Sequence, residues 1–382
     1  MGKIGWLLEA IKGSAFGTKL TALKKFLLEK SKVDDLTKCA LCPNMCRFAC
    51  PVSIVDAKET TSPAGKARIA LLLRSNHLER NSDNALPLYY CISCNVCSIW
   101  CMFGFSVAEL IRPLRAQLFK EGIYPDSLKD PLENLKSHHN PFGFKIKNTN
   151  TGCGDTLFIG GCFLRKFYPN AAEKIKAVLK KLGYDVFELS EEFCCGYLAY
   201  EIGDEELFLE IARNNADKLN STHAKTVIMA CPTCVYVYRE LYPKYKIKLK
   251  AKVYHTSEVI MMNIDKLEFL ERREIVTIHD PSKLAVGLDK PDIIREILSR
   301  IPGLMVRLPM RYGKNTFSCG SEGLLLHWID NELEKEINLE RAKELEEESN
   351  IIITASYICK KGLEGDNRRV YDLVEYIFDS IK

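Results

Sequence analysis

The chain has 382 residues, 47% hydrophobic and 27% charged, with a formal net charge of +4. That is length for two or three domains and an ordinary globular composition, without the polarity of a disordered chain or the basic excess of a nucleic-acid binder. No apolar run reaches the ~20 residues that cross a bilayer, and the first greasy stretch carries Glu9 with no small-residue cleavage site after it, so no secretory signal is expected.

Residues 4–30 read as one or two amphipathic helices bearing Lys12, Lys19, Lys24, Lys25 and Lys30. They suit an anionic membrane surface, a partner or a flank of the protein itself. Beyond them the sixteen cysteines dominate. In a large chain with no export signal and tight spacings they point to metal ligation, not to disulfides.

The first run, Cys39, Cys42, Cys46 and Cys50, has the spacing C-x2-C-x3-C-x3-C-P, and the second, Cys91, Cys94, Cys97 and Cys101, has C-x2-C-x2-C-x3-C. Bacterial ferredoxins use C-x2-C-x2-C-x3-C-P, with the fourth cysteine serving the other cluster. A tight loop aims neighbouring thiolates at adjacent corners of one cube, and the next cysteine, a helical turn on, faces a second cube. By that crossing rule Cys39, Cys42, Cys46 and Cys101 hold one [4Fe–4S] cluster, and Cys91, Cys94, Cys97 and Cys50 hold the other. The sequence departs from the pattern at one extra residue before Cys46 and at Met102, where proline is usual. Structural zinc prefers two separated C-x-x-C pairs, which these runs do not form. The forty residues between Cys50 and Cys91 include a helical stretch over 64–74 after Ser62-Pro63, so the cluster loops are expected on a helical framework.

From about Thr151 the pattern alternates. Strands are predicted at 157–161, 184–189, 226–230, 275–278, 304–308 and 351–354, with helices at 171–182, 204–219, 292–301 and a long one ending near 348. Gly183 and Gly303 are 120 apart, as are Cys162 and Ser282; Cys195 and Cys319 are 124 apart, Cys234 and Cys359 125 apart. This is a tandem duplication of one α/β unit, with cysteines at the carboxyl ends of strands, where open α/β sheets place their sites.

Cys162, then Cys194-Cys195-Gly196, then Cys231-Pro232-Thr233-Cys234, with 31 and 35 residues intervening, resembles the cysteine-rich CCG domain found in the B-type and D-type components of heterodisulfide reductases and in the iron–sulfur subunits of glycolate, lactate and anaerobic glycerol-3-phosphate dehydrogenases. Residues 62–68, 253–260 and 279–284 are similar to family sequence, so the likeness runs over about 36–382. It implies that Cys162, Cys194, Cys195, Cys231 and Cys234 hold a non-cubane iron–sulfur centre, with zinc as the rival occupant. Five thiolates exceed the four of a structural zinc site. In the second copy serine stands at 282, 318 and 356 and only Cys319 and Cys359 remain. Serine is the harder and far less acidic ligand, and this half is expected to be a scaffold without a cluster.

The expected architecture is α plus α/β: an N-terminal amphipathic segment over 1–30, a helical two-cluster ferredoxin domain over 31–148, and two tandem Rossmann-like CCG domains related by a pseudo-twofold, 149–265 and 266–382. No nucleotide or flavin fingerprint is present. The resemblance implies a cytoplasmic oxidoreductase subunit, free or peripheral on the membrane face, relaying electrons between a flavoprotein dehydrogenase and a quinone or membrane-anchored acceptor. The alternative is a catalytic heterodisulfide reductase. Cys153 is expected to be a loop thiol, His279 a structural strand-end histidine, His255 and Glu258 capping groups, and residues 332–348 a solvated helical face.

Overall fold

The computed structural model describes residues 34–148 and 151–382; the amphipathic segment predicted over 4–30 lies outside them. The front of the chain, to residue 138, is helical. Its helices are α1 (Asp35–Ala40), α2 (Pro51–Val55), α3 (Pro63–Arg74), α4 (Ser82–Tyr89), α5 (Val96–Ile99), α6 (Val107–Lys120) and α7 (Lys129–His138). Helix α3 begins where the sequence says it must: Ser62 accepts from Gly65 N, and Pro63 occupies the first turn. Gly65 is required by contact, since a Cβ there would lie 1.9 Å from Glu59 O. Helices α1 and α6 pack on α3, and Asp34 pairs with Arg74 at 2.7 Å.

Two four-stranded parallel sheets follow. Strands β1 (Thr156–Ile159), β2 (Val186–Glu188), β3 (Thr226–Met229) and β4 (Lys252–His255) form the first, in the order β2-β1-β3-β4. Strands β5 (Ile275–His279), β6 (Met305–Arg307), β7 (Ile351–Thr354) and β8 (Arg369–Asp372) form the second, in the order β6-β5-β7-β8. The identical order is the duplication made visible. The central strands are apolar throughout and buried, as strands covered on both faces must be. The fourth strand of each sheet escaped the sequence reading, because each is short and half exposed.

The two halves pack reciprocally. Helices α8 (Ala171–Lys181) and α9 (Glu205–Ser221) belong to the first half, which ends in α10 (Thr256–Met262). The second half contributes α11 (Ile293–Leu298), α12 (Asn331–Glu346) and the closing α13 (Leu373–Phe378). The first helix of each half packs on the last helix of the other, α8 on α13 and α11 on α10. The last helices open on matching capping boxes, His255 with Glu258 and Asp372 with Glu375. The capping expected for His255 and Glu258 is therefore observed.

Helix α12 corrects one expectation. It is not merely a solvated face: Leu333, Ile337, Arg341, Ala342 and Leu345 are buried, and its flank packs on α2 of the front region. Its alternating charges hid a buried stripe in which Arg341 is itself a core group.

Candidate metal centres

The structure brings front cysteines of both runs close to one another. Cys39 has Cys46, Cys101 and Cys42 as its charged neighbours, and burial, ahead of these, pushes its thiol up to about 12. Cys46 is pushed up to about 11, by burial and then Cys101. In the other group burial, then Cys50, pushes Cys94 up to about 12, and burial with Cys94, Cys50 and Cys91 raises Cys97 well above the ordinary thiol range. Thiols crowded this way resist ionising singly; a bound cation removes the penalty and takes thiolates.

Local backbone builds both loops. The extra residue of the first run is absorbed at Asn44, which adopts φ +66° and anchors its side chain by donating to Ser62 Oγ at 2.8 Å. Asn95 does the same in the second run, at φ +60°, accepting from Ser106 Oγ at 2.8 Å. Cys50 caps α2, with Pro51 at its first position.

The two groups differ in surroundings. An open groove carries Cys42, Cys46 and Cys101 on its lining. Its rim is apolar: Leu41 is 72% exposed, Met45 70% and Met102 84%. The loop of Cys91, Cys94 and Cys97 is instead clasped from behind. Arg115, fully buried, donates to Cys91 O at 2.8 Å and to Glu201 O at 3.0 Å, and pairs with the Glu201 carboxylate at 3.1 Å. Ser93 donates to the same carboxylate, and Tyr90 OH reaches Asp330 at 3.0 Å.

In the first α/β half the five expected cysteines meet at strand ends. Cys162 follows β1 and opens a short helix, Cys194 and Cys195 precede Gly196, and Cys231 and Cys234 flank the start of the helix after β3. Gly196 sits at φ +84°, as does its counterpart Gly320 at φ +91°, so the tight turn after each cysteine demands glycine. A Cβ on Gly161 would lie 3.7 Å from Cys234 Sγ. The thiols touch in one continuous chain, Cys162 to Cys194 to Cys195 to Cys234 to Cys231. Cys162 and Cys195 donate to Cys194, which is held well below the ordinary range, while Cys162 and Cys195 are driven above it. Cys234 donates to Cys231 and is itself raised. The carbonyls of Cys194 and Cys195 accept from Asn215 at 2.9 Å and from Tyr242 OH at 3.1 Å. All five line a small apolar cavity of about 40 Å³, to which the second half contributes Gly323, Leu324, Tyr357 and Ile358. The donor set, soft sulfur aimed into an enclosed space, fits an iron–sulfur centre.

The second half is filled differently. Glu322, buried, takes the backbone N–H of Ser282 at 2.7 Å, its hydroxyl, and the N–H of Lys283 at 3.1 Å. A carboxylate thus seals the strand end that Cys162 occupies in the first half. Cys319, Cys359 and His279 lie with ligand atoms within 4.8 Å of one another, all buried. His279 Nδ1 accepts from Arg341 Nε at 3.1 Å, so in the neutral ring the proton rests on Nε2. Burial, then the Arg341 charge, holds this imidazole well below its ordinary value. A guanidinium against the ring is a poor companion for a cation, and the reading of His279 as a structural group accords with this contact. Cys153 is exposed, as a loop thiol should be.

Sequence reasoning missed the buried charges around the sites: Lys66, Arg115, Glu192, Glu201, Lys283, Glu322 and Arg341. Lys66 and Lys283 fell inside stretches already singled out, 62–68 and 279–284, and Arg341 inside 332–348, but nothing in their spacing distinguishes them from surface charges.

A family model, the cysteine-rich CCG domain, matches residues 156–238 and 276–364. The chain is 26% identical over 336 residues, 80% of each chain, to the D component of the dihydromethanophenazine:CoB–CoM heterodisulfide reductase of Methanosarcina barkeri. It is 23% identical to the probable iron–sulfur-binding oxidoreductase FadF of Bacillus subtilis, over 77% of this chain and 46% of that one. To the glycolate oxidase iron–sulfur subunit of Escherichia coli it is 22% identical, over 52% of this chain and 56% of that one. A hypothetical protein from Helicobacter pylori shares the fold, at a TM-score of 0.58 and 13% identity, covering 94% of this chain and 75% of that one.

Proposed function

Because the chain belongs to the CCG-domain iron–sulfur oxidoreductases, we propose that it is the electron-relay subunit of a redox complex, exchanging electrons with a flavoprotein dehydrogenase and passing them to or from a quinone or similar acceptor. The observation that supports this is the nearness of front-region cysteines from both runs to one another and of five more at the strand ends of the first α/β half. Cys39, Cys42, Cys46 and Cys101 would hold one [4Fe–4S] cluster, Cys50, Cys91, Cys94 and Cys97 a second, and Cys162, Cys194, Cys195, Cys231 and Cys234 a non-cubane centre. When bound, such clusters supply one-electron storage and transfer, with potentials set by burial and hydrogen bonds.

The protein's part is arrangement. The apolar rim of Leu41, Met45 and Met102 leaves the first group approachable by a redox partner. Arg115 and Glu201 hold the second group's loop against the first α/β half, which fixes the spacing between them. Asn215 and Tyr242 fix the Cys194–Cys195 carbonyls and keep that turn from water. The domain limits 31–148, 149–265 and 266–382 belong to the same proposal, as does a cytoplasmic place, free or peripheral on the membrane. Among the described residues no helix is long and apolar enough to cross a membrane.

A second reading is favoured by one observation. The five-cysteine group lines an apolar pocket with its sulfurs, and one relative is by name part of a heterodisulfide reductase.

Anoxically purified protein separates the readings. Iron and acid-labile sulfide near twelve per chain, about four for each of three centres, with EPR signals on reduction, supports the relay. About eight iron with one zinc leaves the five-cysteine site to zinc. Colourless, redox-silent protein that is folded overturns the proposal. Turnover of a disulfide by the reduced chain without a flavoprotein favours the second reading over the first.

A further inference from the structure

Two lysines lie deep in the molecule beside one cysteine group and not the other. Lys66, on α3, is 1% exposed and its Nζ stands 3.8 Å from Cys50 Sγ. Lys283 is 2% exposed and belongs to the second α/β half, immediately after Ser282. Its side chain crosses into the front region, donates to Ser93 O at 2.7 Å inside the Cys91–Cys97 loop, and runs over the rings of Tyr197 and Tyr236 at 4.7 and 4.9 Å. Neither ammonium is ion-paired among the described residues, whereas Arg115 nearby is balanced by Glu201. Glu322 meets Lys283 at the backbone N–H, the other end of the residue. The Lys283 charge already acts on Cys94, favouring its thiolate. Around the other group the cation that acts on Cys39 is Arg68, which is ion-paired with Glu59 at 3.0 Å and half exposed to solvent, so its charge is screened.

We infer that Lys66 and Lys283 hold the Cys50, Cys91, Cys94 and Cys97 centre at a higher reduction potential than the Cys39, Cys42, Cys46 and Cys101 centre, and that the degenerate second half acts on electron transfer through Lys283. The physics is direct. Accepting an electron adds one negative charge to the centre, and an ammonium that makes no salt bridge in a low-dielectric interior stabilises that charge, with Glu322 offsetting part of the Lys283 effect. Burial of both lysines, with the Lys283 ammonium against two tyrosine rings, keeps water out and the field little screened. The buried centre then draws electrons inward from the approachable one. The Ser282–Lys283 turn, tied down by Glu322, is what aims the lysine; a cysteine-ligated centre at that strand end would leave no place for the Glu322 carboxylate.

This rests on the two-cluster reading, and the test separates the two. Full-length holoprotein is titrated electrochemically under anoxia with EPR detection, for wild type, Lys283→Met, Lys283→Arg and Lys66→Met, with exposed Lys225→Met as control. The centre that Cys42→Ser leaves intact should be harder to reduce in Lys283→Met. Its reduced-to-oxidised ratio at fixed potential should fall about tenfold, ~59 mV for one electron. The other cubane should not move, Lys283→Arg should recover most of the shift, and Lys66→Met should shift the same centre in the same direction. Intact clusters with unshifted potentials in both methionine variants overturn the inference while leaving the relay reading standing. So does an arginine variant that behaves like methionine, since the hydrogen bond to Ser93, not the charge, would then be responsible. Wild type without iron and sulfide removes the relay reading itself. If Lys283→Met fails to load the buried centre, Lys66→Met alone decides.

Discussion

At the residue scale the pseudo-equivalent pairs Cys234 with Cys359 and Cys195 with Cys319 make a controlled comparison within one molecule. In the first half the sulfurs point into a shared cavity with three further thiols. In the second, Cys319 and Cys359 meet His279, whose ring is committed to Arg341. Replacing Cys234 by serine should therefore remove about four iron per chain, one four-iron centre, leaving both cubane signals. Cys359→Ser should leave iron content unchanged, as metal analysis and EPR will show. Loss of iron from Cys359→Ser would mean that the second half holds a centre after all.

Elements transmit these residue choices to stability. Helix α10 opens on His255, whose ring accepts from Ser257 N and sits buried beside Ala230 O. Burial, outweighing the Glu258 charge, depresses this histidine to about 4. The folded state then refuses a proton that the unfolded chain takes near the ordinary value of 6.5. The stabilisation is complete above pH 6.5 and is lost as pH falls toward 4, up to about 3 kcal/mol for such a shift. The second-half counterpart is Asp372, a group of opposite sign, which burial and Glu375 push up to about 8. Its contribution is complete below the ordinary aspartate value and is lost as pH rises toward 8. His255→Asn keeps a good cap and should remove the loss of Tm that protonation brings below about pH 6.5, while Asp372→Asn should remove the decline that its ionisation brings between about pH 4 and pH 8; thermal melts from pH 4 to 9 check both. At α3, Ser62→Ala removes a cap and an anchor for Asn44. It should cost about 1–2 kcal/mol in denaturant unfolding and loosen the loop that carries Cys42 and Cys46.

Over the whole molecule, both α/β halves grip one cysteine loop. Glu201 holds it from the first half, through Arg115 of the front region and Ser93 of the loop, and Lys283 and Asp330 hold it from the second. Removing one member of the fully buried Arg115–Glu201 pair leaves the other uncompensated, a loss of roughly 3–5 kcal/mol. Glu201→Gln should therefore lower the denaturant midpoint and dock the front region less firmly, seen as faster hydrogen exchange in residues 88–97. The opposite face carries the exposed rim of Leu41, Met45 and Met102. A charge there, as in Met102→Glu, should slow electron exchange with a flavoprotein partner severalfold without changing cluster content or potential, measured by stopped-flow reduction.

Some of this was written in short-range spacing, and some was not. The cysteine intervals, the strand-ending motifs and the 120-to-125-residue repeat determined the duplicated α/β units and the cysteine-rich strand ends, because loop length and strand period are local constraints that a chain cannot evade. The fourth strands, too short and half exposed to leave a pattern, emerged only in the sheets. The buried stripe of α12 emerged only in packing, since its charges look the same paired inside as solvated outside. Above all, tertiary structure decided which lysines matter. Lys66 and Lys283 are two among many in the sequence, and what sets them apart is burial beside the cysteine loops with no salt bridge among the described residues, a property of long-range proximity and dielectric that no local pattern encodes.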